Sequence, residues 1–182
     1  MDAIDLLSHD HRMVEQLFRD YEAAASDTQR RGVVEMLIRE LSKHAALVEL
    51  IIYPLAKDVL PEGHSAVEER LNAHLNLKFI LYALDKLPAE DREATDHLIA
   101  KLQQAVDKHV RTDERELLPK LRDALDQHAL DELGYVLDQA KKVAPTRPHP
   151  HAPDQPPALV LAAPVAAAYD RLRDRSQGRP KT

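Results

Sequence analysis

Residues 44–60 read HAALVELIIYPLAKDVL, and residues 109–125 read HVRTDERELLPKLRDAL. In both, a proline (Pro54, Pro119) follows the histidine by ten residues, and a Lys-Asp or Arg-Asp pair and a leucine come after it. His44 and His109 are 65 residues apart, and a second pair of histidines, His11 and His74, is 63 apart. The chain therefore reads as a duplicated pair of segments, related by a pseudo-two-fold axis through four histidines. Such an axis is a natural place for two metal ions, one per half.

Each segment has helical periodicity. Ile4, Leu7, His11, Val14, Phe18 and Tyr21 fall at three- and four-residue steps, which is one helix face. The second segment, about 28–58, places Val34, Leu37, Ile38, Leu41, His44, Val48, Ile51, Ile52 and Leu55 the same way. Pro61 and Gly63 mark the turn after it. The third, about 65–86, carries Val67, Leu71, His74, Lys78 and Leu81, and Pro88 ends it. The fourth, about 91–125, carries Leu98, Leu102, Ala105, His109, Asp113 and Leu117. A shorter segment, about 130–142, follows. This pattern predicts an all-α fold: an up-and-down four-helix bundle over 1–143, with a short additional helix.

The chain changes character at 144. Eight of the twelve prolines lie from Pro145 onward, and a run such as PTRPHPHAP cannot sustain a helix. Residues 144–182 read as a Pro-rich C-terminal tail, with a short helix over 165–175. The tail holds six Lys and Arg against three Asp, which makes it basic beside an acidic bundle. It either folds back onto the bundle or stays an unpacked extension.

Composition excludes several classes. There is no cysteine among the 182 residues, so a disulfide scaffold, a thiolate zinc site, an iron–sulfur cluster and a cysteine nucleophile are all out. Any metal must be held by imidazole and carboxylate, from ten His and 31 Asp and Glu. Four glycines argue against a phosphate loop. A net charge of −6 gives no case for nucleic acid. The longest apolar stretch, 158–169, is broken by Pro164 and too short for a bilayer. The N-terminus is acidic where a signal peptide is basic. The expectation is a cytoplasmic protein with a small-molecule ligand, no nucleic-acid or membrane partner, and no identifiable protein partner.

One histidine on an apolar stripe reads as a satisfied core residue. Four, one per helix, point to a shared metal, because burying four imidazoles without partners is costly. His9, His64, His97 and His128 read as surface residues, and His149 and His151 as part of the linker.

The chain resembles the hemerythrin-like, HHE cation-binding family. The resemblance rests on Asp10-His11 with Val14-Glu15, His44-Ala45 with Glu49 and Tyr53-Pro54, His74, and His109 with Asp113-Glu114 and Pro119. It covers about 1–143, and the tail around APTRPHPHAPD resembles the extension of bacterial members. It implies a non-haem di-iron site with the pattern His, His-x-x-x-Glu, His, His-x-x-x-Glu. His11, His44, His74 and His109 fill the histidine places, and Asp113 fills the second carboxylate place. Residues four apart share a helix face, so both can reach one metal pair.

Val48 stands where the first carboxylate is expected. Glu49 lies about 140° around an α-helix from His44, and serves as a ligand only if the helix rotates locally or its side chain curls back. Lys78 stands where oxygen-carrying members have a further histidine, and its symmetry counterpart is Glu15. These two are expected to form a buried pair beside the site, the alternative being Glu15 swinging to the metal. Tyr53 and Tyr82 are candidates for hydrogen bonds behind the ligands, or for core packing.

The resemblance implies iron, one ion or two, although imidazole and carboxylate also suit zinc and manganese. It implies binding or sensing of dioxygen, peroxide or nitric oxide, or oxidative-stress defence. Oxygen transport is disfavoured by the low histidine count. Peroxide decomposition needs only a redox-active iron pair and solvent access, so the pattern is compatible with it. The alternative is a degenerate scaffold or metal-reserve protein, with a mononuclear or empty site because of Val48.

Overall fold

A computed structural model describes residues 1–88 and 90–151. The helices are α1 (Ala3–Ala23), α2 (Asp27–Leu47), α3 (Tyr53–Val59), α4 (Gly63–Lys86), α5 (Arg92–Thr112), α6 (Leu118–Ala124) and α7 (Gln127–Val143). Two π-helical turns, Val48–Ile52 and Asp113–Leu117, join α2 to α3 and α5 to α6. Each joined run is one long rod. With α1 and α4 the rods form the up-and-down four-helix bundle, and α7 lies against α1 and α2.

Local chemistry sets the boundaries. Side chains of Asp2, Ser26, Asp91 and Asp126 accept from backbone N–H groups of the first turns of α1, α2, α5 and α7. Both π-turns end immediately before a Tyr-Pro or Leu-Pro step, at Pro54 and Pro119. Proline has no N–H, and its ring clashes with the carbonyl four residues earlier. Widening the turn by one residue relieves that clash. The backbone N–H of Tyr53 then donates to the Val48 carbonyl, and that of Leu118 to the Asp113 carbonyl, each five residues back.

The core is divided by a polar layer. One apolar cluster contains Leu7, Leu47, Ile51, Tyr53, Leu121 and Leu137. The other contains Val14, Leu37, Leu41, Leu77, Leu102 and Val106. The four stripe histidines fall between them, so both clusters clamp the layer that carries them. Helix α7 can lie close to the N-terminus because residue 134 is glycine: a Cβ there would sit 2.5 Å from the Met1 carbonyl oxygen.

After α7 the chain returns to the bundle. Arg147 Nη1 lies 2.9 Å from Glu35 Oε2 and 2.5 Å from Asp85 Oδ1. Pro148 and Pro150 are buried. The His151 ring packs edge-on to Phe79 and Tyr82. Arg147 is the one Lys or Arg of the tail among the described residues, and the choice between a folded-back and an unpacked extension for 152–182 lies outside them. The short helix expected over 165–175 lies outside the described residues. Among the described residues, no helix is long and apolar enough to cross a membrane.

Candidate metal centre

His11, His44, His74 and His109 come from α1, α2, α4 and α5 and meet in one buried cluster. Nε2 of His44 lies 3.1 Å from Nε2 of His109. Nε2 of His74 lies 3.2 Å from Nδ1 of His109 and 3.1 Å from the Tyr53 hydroxyl. His11, His44 and His109 each offer a nitrogen within 4.8 Å of the others. The six remaining histidines are exposed, as their positions off the stripes require.

Every ring in the cluster has a carboxylate beside it, and every such carboxylate has a basic side chain. His11 Nδ1 faces Glu114 at 3.1 Å, and Glu114 holds Arg12 at 2.8 Å. His74 Nδ1 faces Glu49 at 3.2 Å, and Glu49 holds Lys78 at 2.7 Å. His109 Nε2 lies 3.7 Å from Asp113, which takes Arg70 Nε at 3.2 Å. His44 Nδ1 lies 3.9 Å from Asp10, which takes Lys141 at 2.5 Å.

The pseudo-two-fold reappears in these contacts. Glu49 beside His74 corresponds to Glu114 beside His11, and the two glutamates are also 65 residues apart. Glu49 is half-buried and reaches His74 and Lys78 of α4 rather than His44. Val48, four residues after His44, packs among Leu47, Ile51 and Ile52, 1% exposed.

Some expectations are corrected. Lys78 pairs with Glu49, whereas Glu15 lies beside Arg12, one turn back on its own helix, at 3.8 Å. Symmetry alone suggested the Lys78–Glu15 pair, but Glu49, at 2.7 Å, is the carboxylate in front of Lys78. Tyr82 is 37% exposed, against His151, and so neither backs the site nor fills the core. Asp113 lies at the layer, but its Oδ1 is turned to the buried Arg70. Four residues at the site carried no assignment from sequence: Asp10, Arg70, Glu114 and Lys141. Glu114 had a visible signal, since the repeat aligns it with Glu49.

The electrostatics suit a cation. Burial lowers the His11 pKa to about 4, helped by His44. Burial and the neighbouring rings push His109 well below its ordinary value. Both rings are therefore neutral near pH 7, with lone pairs free for a metal. Burial raises carboxyl pKa values, yet His74 and Lys78 hold Glu49 below the usual range. Arg12 does the same for Glu114, while burial pushes Asp113 up. His11 Nε2 is buried without any hydrogen-bond partner, as are His44 Nδ1 and Asp10 Oδ2. An orphaned ring nitrogen among three other imidazoles is the vacancy in hydrogen bonding that a bound metal ion satisfies.

One consequence is acid sensitivity. Between pH 6.5 and about 4 the unfolded chain protonates His11 and the folded chain does not, so stability falls as pH falls, by roughly 3 kcal/mol from this ring alone. His109, Glu49 and Glu114 act in the same direction and Asp113 opposes them. Chelator-treated protein unfolded in urea at pH 7.5, 6 and 5 is expected to show a midpoint that drops at each step. A midpoint that stays constant would contradict the buried neutral rings.

The family model described as Hemerythrin HHE cation binding domain matches residues 2–121. An uncharacterized hemerythrin-like protein of Schizosaccharomyces pombe is 29% identical over 181 residues, covering 97% of this chain and 87% of its own length. No solved structure matches the chain.

Proposed function

The chain belongs to the hemerythrin HHE cation-binding family, and from that premise we propose that it is a non-haem iron protein with two ions in the histidine layer. The observation that carries this reading is the convergence of four buried imidazoles, one with an orphaned Nε2. In this reading His11 and His44 would hold one ion, and His74 and His109 the other. Glu49 and Glu114, each beside a ring of the cluster, would supply the anionic oxygens that hard iron ions prefer. Bound iron would supply a redox-active centre with open positions for dioxygen, peroxide or nitric oxide.

The bundle leaves a route for such molecules. A cleft of about 390 Å³ between α4 and α5 is lined by Ala73, Ala105, Lys108, His109, Thr112 and Asp113, among others. It has room for species of two or three atoms, and His109 of the histidine layer is among its lining residues. Ala105→Phe is expected to slow nitric oxide binding to the iron-loaded protein at least tenfold without changing iron content. Unchanged kinetics would mean that ligands enter elsewhere.

A second reading has its own support. Each carboxylate beside the layer already has a basic partner, so the fold is charge-balanced without metal. That favours a metal-reserve protein that stays folded as ions leave. Anaerobic ferrous loading of chelator-stripped protein, followed by metal analysis and absorption spectra, separates the two. About two irons per chain, with ferric charge-transfer bands on oxidation, support the di-iron reading. One iron or fewer supports the reserve reading.

A further inference from the structure

We propose that α7, through Lys141, is part of the metal centre, and that Lys141 is a positioning residue that fixes His44 by way of Asp10. This rests on the metal-binding reading above and goes beyond it, because α7 lies past residue 121, where the family match ends.

The geometry is a three-member chain. Lys141 Nζ sits 2.5 Å from Asp10 Oδ1. Asp10 is 2% exposed, and its second oxygen, Oδ2, has no hydrogen-bond partner. That oxygen faces His44 Nδ1 at 3.9 Å, and the ring nitrogen is also buried and unpartnered. The gap is longer than a hydrogen bond. Two orphaned polar atoms that face each other out of solvent are costly unless something joins them.

Metal binding joins them. A ring that gives Nε2 to a metal must carry its proton on Nδ1, and that N–H needs an acceptor. Asp10 Oδ2 is the acceptor in place. Lys141 keeps it there, because its ammonium takes Oδ1 and leaves Oδ2 turned to the ring. The repeat does not place a carboxylate at the matching position of the other half: 63 residues after Asp10 stands Ala73, which lines the open cleft beside His109. One side of the layer is thus braced by α7, and the opposite side is left open to small molecules.

Cobalt(II) is the probe, because its visible absorption reports the ligand geometry directly. Lys141→Met in the full chain is expected to weaken cobalt binding about tenfold or more and to shift the visible bands, with helix content unchanged by circular dichroism. Lys141→Arg is expected to restore both. Asp10→Asn is expected to reproduce the Lys141→Met spectrum, with no further loss when the two are combined. Should Lys141→Met not fold, Lys141→Gln carries the same expectation. Wild-type affinity and spectrum in a folded Lys141 variant would overturn the proposal while leaving the metal reading intact. Wild-type protein that takes up no cobalt or iron would overturn both.

Discussion

Val48→Glu is expected to destabilise the bundle by roughly 3–5 kcal/mol, the scale for an uncompensated buried charge, and to leave metal uptake no higher. Helical spacing from His44 implies the opposite, that glutamate at position 48 restores a missing ligand. The packing argues against it: position 48 lies with Leu47, Ile51 and Ile52 in the apolar cluster, and Glu49 is the carboxylate beside His74. Urea unfolding and iron analysis of the variant check both halves. A stable variant with greater iron content would show that position 48 reaches the metal.

The second large effect belongs to the paired glutamates. Glu49→Gln and Glu114→Gln keep the side-chain shape and remove the charge. Each is expected to lower iron affinity 10- to 100-fold, and the double variant is expected to hold at most one iron per chain. Stability should change less in Glu114→Gln than in Glu49→Gln, since the Glu114 side chain is 26% exposed and that of Glu49 9%. Surface ion pairs such as Arg12–Glu114 contribute little. If Asp113 is the working carboxylate instead, Asp113→Asn will remove the second iron and Glu114→Gln will not.

The bundle was legible because its stripes obey one rule. Leu7, Val14, Leu41, Leu81 and Leu102 recur at helical spacing, and the four histidines interrupt the stripes at one level. Glu49 was not legible by that rule, because its partners, His74 and Lys78, stand on another helix. The sequence does mark it in one way: Glu49 and Glu114 stand at matching positions of the repeat. The Lys78–Glu15 error has a related origin, since symmetry within the repeat does not say which helix supplies the nearer carboxylate. Arg70 lies four residues before His74 and so was reachable by periodicity, although a charged residue there argued for the surface. Lys141 had no local signal. Its role depends on how α7 crosses α1, a packing angle that periodicity does not encode.

The central claim is that iron sits in the histidine layer within reach of Glu49 and Glu114. Anomalous diffraction at the iron edge, from crystals of anaerobically loaded protein, locates it directly. The expected result is a pair of iron peaks within the layer of His11, His44, His74 and His109, with Glu49 and Glu114 turned from Lys78 and Arg12 onto the metal and Val48 still in the apolar cluster. Iron found elsewhere, or iron in the layer with Glu49 still on Lys78 and Glu114 still on Arg12, would contradict it.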